Sequence, residues 1–133
     1  MPTESGLKLR TKLESAKTLK FTNASTSATY TAGGMTVIGS TIGVLVEDVG
    51  TSGQSKDDDY PNGPDGVLVY EAEKILLPKA TGTGESFSPG DVAYYNSTNK
   101  ELSTSTSGTK CAIALESIST SDTEALVDLM ILA

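Results

Sequence analysis

Between Phe87 and Tyr95 the chain has very little conformational choice. Ser88-Pro89-Gly90-Asp91 presets a turn: the Pro89 ring fixes φ where a turn's second residue needs it, Gly90 tolerates φ above zero, and the Asp91 carboxylate can cap locally. Val92-Ala93-Tyr94-Tyr95 follows as a β-branched and aromatic run, the composition of a strand. Other short apolar runs lie on both sides, cut off from one another by Gly, Ser, Thr and Asn. A chain punctuated this way is predicted to be all-β, with the Phe87 segment near its middle.

Taken in order, residues 19–38 supply two short strands, one around Thr29-Tyr30-Thr31 and one at Met35-Thr36-Val37-Ile38, joined through Ala32-Gly33-Gly34. Ile42-Gly43-Val44-Leu45-Val46-Glu47 is apolar on both faces and is predicted to be central, with Gly43 marking a bulge or a close approach. Residues 49–66 form a long loop with three consecutive aspartates. A calcium loop counted from Asp57 would place Pro61 and Leu68 where oxygen ligands are required, so the triplet reads as a solvated acidic tip. Val67-Leu68-Val69-Tyr70 and Ile75-Leu76-Leu77 are strands, bent or bulged between them. Residues 79–85 contain Gly-x-Gly without the Lys and Ser/Thr of a phosphate loop. Residues 96–108 read as a polar connection, Leu102 being its single apolar residue, and residues 110–118 and 125–132 as a closing pair. In the last of these Ala125, Val127, Leu129 and Ile131 alternate and are predicted to face the core.

At 133 residues the chain fits one domain. It has no His, which removes the commonest general base and zinc ligand and the middle member of Ser-His-Asp sites. The single Cys111, flanked by Ala112, Ile113 and Ala114, reads as a small core residue. Without His, the remaining catalytic options are a Ser-Lys hydrolase, for which Lys74 and Lys79 lie near the crowded strands, or a carboxylate pair. Neither has a local motif, so no enzyme, metal or cofactor is expected. The two Asn-x-Ser/Thr matches, at Asn23 and Asn96, are discounted in a chain so rich in Ser and Thr. No run has the length of a membrane span and the first residues lack the apolar stretch of a signal peptide, so neither membrane insertion nor Sec-type export is expected.

The net charge of −7 argues against nucleic-acid binding by the body of the domain. Its distribution divides the chain into a basic arm, residues 1–20, and a β domain, residues 21–133. The arm sets Lys8, Arg10, Lys12, Lys17 and Lys20 against Glu4 and Glu14, for +3; the remainder sets five basic residues against fifteen acidic, for −10. Leu7, Leu9, Leu13, Ala16 and Leu19 fit neither a helical nor an extended period throughout. Exposed ion pairs contribute only about 0.2–1 kcal/mol each, so specific docking by such an arm would have to bury its leucines too.

The order of these elements resembles the small cement, or head-decoration, proteins of tailed bacteriophages. The resemblance rests on Ile42-Gly43-Val44, then Ile75-Leu76-Leu77-Pro78-Lys79-Ala80, then Phe87 to Tyr95, a Thr-rich connection, Cys111-Ala112-Ile113-Ala114-Leu115-Glu116 and a final Leu126-Val127-Asp128-Leu129 strand, and it covers about residues 18–132. The chain departs from that pattern at Ala72-Glu73, where a glycine turn is expected, at Ala112, and in a longer loop over residues 54–65. The resemblance implies a small β-barrel or β-tulip domain with an extended N-terminal arm, binding the outside of an assembled head as a homotrimer at three-fold or quasi-three-fold sites and bridging neighbouring major capsid subunits. On that reading Lys8, Arg10, Lys12, Lys17 and Lys20 make charge contacts to the shell, Leu7, Leu9 and Leu13 are its apolar anchors, and the protein resides on the virion surface after synthesis in the host cytoplasm. A carbohydrate-binding or adhesin-like β module is the alternative, set against the small number and scatter of the aromatic residues.

Overall fold

In a computed structural model, which describes Lys8, Leu9 and residues 16–131, the described residues form nine strands and no helix. The strands are β1 (Lys8–Leu9), β2 (Lys17–Thr22), β3 (Met35–Ile38), β4 (Thr41–Leu45), β5 (Asp65–Pro78), β6 (Val92–Asn96), β7 (Glu101–Ser103), β8 (Thr109–Ala114) and β9 (Glu124–Leu129). Every strand pair is antiparallel, in the order β3-β4-β5-β9-β8-β6-β7, with β1 and β2 also on β5.

The fold is organised by β5. Its first half pairs with β2 and β4, through Val69 opposite both Thr18 and Val44, and its second half with β1 and β9, through Ile75 opposite both Leu9 and Val127. Between the halves the register with β9 shifts, and Lys74 there takes φ 54°. A side chain in this left-handed region is strained, and the bulge is held by the Lys74 N–H donating to Asp128 Oδ1 at 3.0 Å. The bend predicted between the two apolar runs is therefore a bulge in one fourteen-residue strand, at the place where a glycine turn was expected.

The far end of β5 closes the sheet on itself. Lys79 forms a parallel bridge with Leu102 of β7, and the Ala80 N–H donates to the Leu102 carbonyl at 2.8 Å. The result is a nearly closed antiparallel β-barrel whose interior is filled by Val44, Val69, Ile75, Leu77, Ala93, Leu102, Ala112, Val127 and Leu129, all buried. The Ser88–Asp91 turn forms as its chemistry dictates: Gly90 has φ 91°, the Asp91 N–H donates to the Ser88 carbonyl, and the Ser88 N–H donates to Asp91 Oδ2 at 2.7 Å. Gly43 marks a close approach, since a Cβ there would lie 2.4 Å from the Val69 carbonyl oxygen.

Three expectations are corrected, and one left open is resolved. Residues 29–31 hold only a single bridge, Tyr30 to Val49, because Asn23 spends its side chain on the Ala28 and Gly50 carbonyls and keeps residues 23–28 in a loop. In the arm, where neither period prevailed in the sequence, Lys17 and Leu19 fall in the six-residue strand β2. The polar connection after Tyr95 contains β7, with Leu102 fully buried. Ile131 is 70% exposed, since β9 stops at Leu129 and the last ladder bond runs from the Met130 N–H to the Cys111 carbonyl.

Candidate functional site

The edge of β5 away from β4 and β9 carries the basic arm. β2 lies along Asp65 to Glu71, and β1 along Ile75 and Leu76. Leu9 and Lys17 are eight residues apart in the chain while their partners Ile75 and Glu71 are only four apart, so the register changes by four residues between the two strands. Among the described residues β1 contributes two paired positions, whereas β2 is fixed by six.

Within β2, Leu19 and Phe21 are half-buried and Thr18, Lys20 and Thr22 are exposed, the alternation that a strand covering one face produces. Phe21 stands edge-on to Tyr30 at 5.7 Å between centroids, and Thr22 Oγ1 donates to Asp65 Oδ1 at 2.8 Å. Lys20 lines a shallow groove of about 350 Å³ with Phe21, Glu47, Asn62 and Asp65. Lys17 pairs with Glu71 at 2.9 Å, and the hydrogen bond and charge of that carboxylate hold the ammonium above its usual pKa. Both members of the pair reach solvent, so it orients Lys17 and adds little to stability.

Of the predicted contact residues, the structure thus brings Lys8, Leu9, Lys17 and Lys20 onto one edge of β5. Leu7, Arg10, Lys12 and Leu13 lie outside the described residues. The acidic tip is partly committed locally: Asp57 Oδ1 accepts the N–H groups of Asp59 and Tyr60, and its Oδ2 accepts from Gln54. Among the described residues no group of three or more His, Cys, Asp or Glu side chains could hold a metal ion.

The lysines considered for catalysis have other work. Lys74 is exposed on the bulge. Lys79 is buried at the barrel seam, where its ammonium donates to the carbonyls of Ala80 and Asp122 and its backbone N–H to Thr123. Across the same seam the Glu85 carboxylate accepts from the Ser103 hydroxyl and from both the N–H and the hydroxyl of Thr104. Partial burial pushes the Glu85 pKa up, but the hydrogen bonds from Thr104 and Ser103, with the charge of Lys79, outweigh it and leave it below the usual value. These polar groups close the barrel; no signal of spacing marks them in the sequence, because their partners lie up to 43 residues away. Cys111 is a core residue, as predicted, its thiol pushed up to about 12 by burial.

A search of curated proteins and one of solved structures give no match. A family model described as phage cement protein matches residues 13–129, which spans β2 to β9 and so the entire barrel. On that match, the chain belongs to the phage cement protein family.

Proposed function

We propose that the protein binds the outer surface of the assembled head as a homotrimer at three-fold or quasi-three-fold sites and bridges neighbouring major capsid subunits, with the arm strand on β5 carrying the contacts. The observation that carries this reading is the segregation of +3 on residues 1–20 from −10 on the rest, together with the placement of Lys8, Lys17 and Lys20 on strands along one edge of β5. Long-range attraction between a basic arm and an acidic shell would raise the encounter rate, and the leucines interleaved with the charges would supply the buried area that charge alone lacks. Three arms acting from one trimer add through effective concentration, so each contact need only be modest. The role is mechanical and non-catalytic, and the acidic loop holding Asp57, Asp58 and Asp59 faces solvent or a neighbouring trimer.

Deletion of residues 1–17 is a blunt test, since Lys17 belongs to β2 and pairs with Glu71. Replacing Lys8, Arg10 and Lys12 by Glu leaves β2 intact. The variant is expected to unfold at the same temperature as the parent and to lose co-sedimentation with heads. A variant that still binds at the parent's level refutes the assignment of the arm.

A further inference from the structure

A cleft of about 530 Å³ lies between the β3–β4 hairpin and the end of the barrel built by β6, β7 and β8, and no described arm residue lines it. Its volume is within the range of small-ligand sites. Its lining holds no charged side chain: Ser40 comes from one hairpin, Asn96, Ser97 and Thr98 from the other, Thr109 from the start of β8, and the apolar part from Val37, Ile42 and Tyr95.

Two features of this lining point to a ligand class. Among the described residues the hydroxyls of Ser40, Ser97, Thr98 and Thr109 make no hydrogen bond, so the cleft presents several neutral groups that each donate and accept. Beside them Val37 is one of only two large apolar residues that the described surface exposes, at 39%. A charged ligand would lose hydration here without meeting a counter-charge, and a purely apolar one would leave the hydroxyls unpaired. A neutral polyhydroxylated ligand satisfies both halves, placing its hydroxyls against Ser97, Thr98 and Thr109 and its C–H face on Val37 and Ile42. We infer that this cleft is a binding site for uncharged sugar residues, distinct from the arm and independent of whether the arm binds the shell. One aromatic, Tyr95, is present and it is nearly buried, so affinity for a single sugar is weak and a many-copy array would bind through avidity.

The test is a set of 15N chemical-shift titrations of the full chain with glucose, galactose, mannose and N-acetylglucosamine, with glucuronate as the charged counterpart and an uncharged Ser/Thr/Val peptide as the competing occupant. The inference expects saturable shifts confined to Val37, Ser40, Asn96 to Thr98 and Thr109 for at least one neutral sugar, and a weaker response to glucuronate. The Ser97→Ala/Thr98→Ala variant, changed only at exposed hairpin positions, should keep the parent's melting temperature and bind about fivefold more weakly for each hydrogen bond lost. The inference is overturned if no neutral sugar shifts these residues into the tens of millimolar, if glucuronate binds as well, if the double variant binds unchanged, or if only the peptide saturates the cleft.

Discussion

Replacing Gly43 by alanine tests how tightly β4 is laid against β5. An ideal Cβ at that position would stand 2.4 Å from the Val69 carbonyl oxygen and 2.7 Å from Leu68 Cγ. Neither neighbour can yield easily. Val69 sits in the ladder between β2 and β4, and the Leu68 side chain is fully buried. Overpacking of this kind costs about 1–3 kcal/mol, and contact with a paired backbone carbonyl places Gly43→Ala at the upper end. Restricting the unfolded chain offsets about 0.4–1 kcal/mol, leaving a net loss of about 2 kcal/mol. For a domain of this size that lowers the melting temperature by about 8 °C. Urea unfolding followed by far-ultraviolet circular dichroism reads the change directly, with the midpoint shifted and the slope unaltered. Gly53→Ala is the control, since a Cβ there meets nothing within 4 Å, and it should stay within about 0.5 kcal/mol of the parent. Equal stability of the two variants would refute the close approach of β4 and β5.

Lys74→Gly relieves the left-handed backbone while keeping the N–H bond to Asp128, and should stabilise by about 0.5 kcal/mol; destabilisation in the same urea assay would show that the bulge depends on the lysine side chain. Leu102→Ala empties a fully buried site where β7 meets the end of β5, and should cost about 3 kcal/mol, read as a fall in melting temperature. Because the Glu85 pKa is lower in the folded protein, its contribution to stability is fully present above the ordinary glutamate value and is lost as pH falls through the folded value. Glu85→Gln should therefore flatten the acid limb of the stability profile below about pH 4.5, and an unchanged limb would contradict the role of its hydrogen bonds. Cys111 should resist a thiol reagent at pH 8 in the native protein and react on unfolding in urea; rapid native labelling would contradict its burial.

What the sequence made legible was local chemistry. The Ser88–Asp91 turn forms from four residues whose preferences agree, and Ala125, Val127 and Leu129 alternate over a strand long enough to show a period. β7 escaped notice because three residues with one apolar member carry no periodicity, and its burial comes from contacts with β5 and β6. Ile131 continued the alternation of β9 on paper, but β9 stops at Leu129 and the ladder with β8 ends with the bond from the Met130 N–H to the Cys111 carbonyl. The arm was ambiguous for a related reason: Leu9, Ala16 and Leu19 do not share one period, and the register on β5 changes between β1 and β2. Charge segregation was visible from composition, whereas the edge that holds Lys8, Lys17 and Lys20 depends on pairing with residues more than 40 positions away. The cleft beside the β3–β4 hairpin is the least legible feature, because it joins residue 37 to residue 109 across two hairpins.

The most direct test of the cement role is the temperature at which heads release their DNA, followed by dye fluorescence as purified protein is added to heads lacking it. The account predicts that the release temperature rises and then levels off when the binding sites on the shell are filled. Saturable binding with no change in release temperature, or no binding at all, would contradict it.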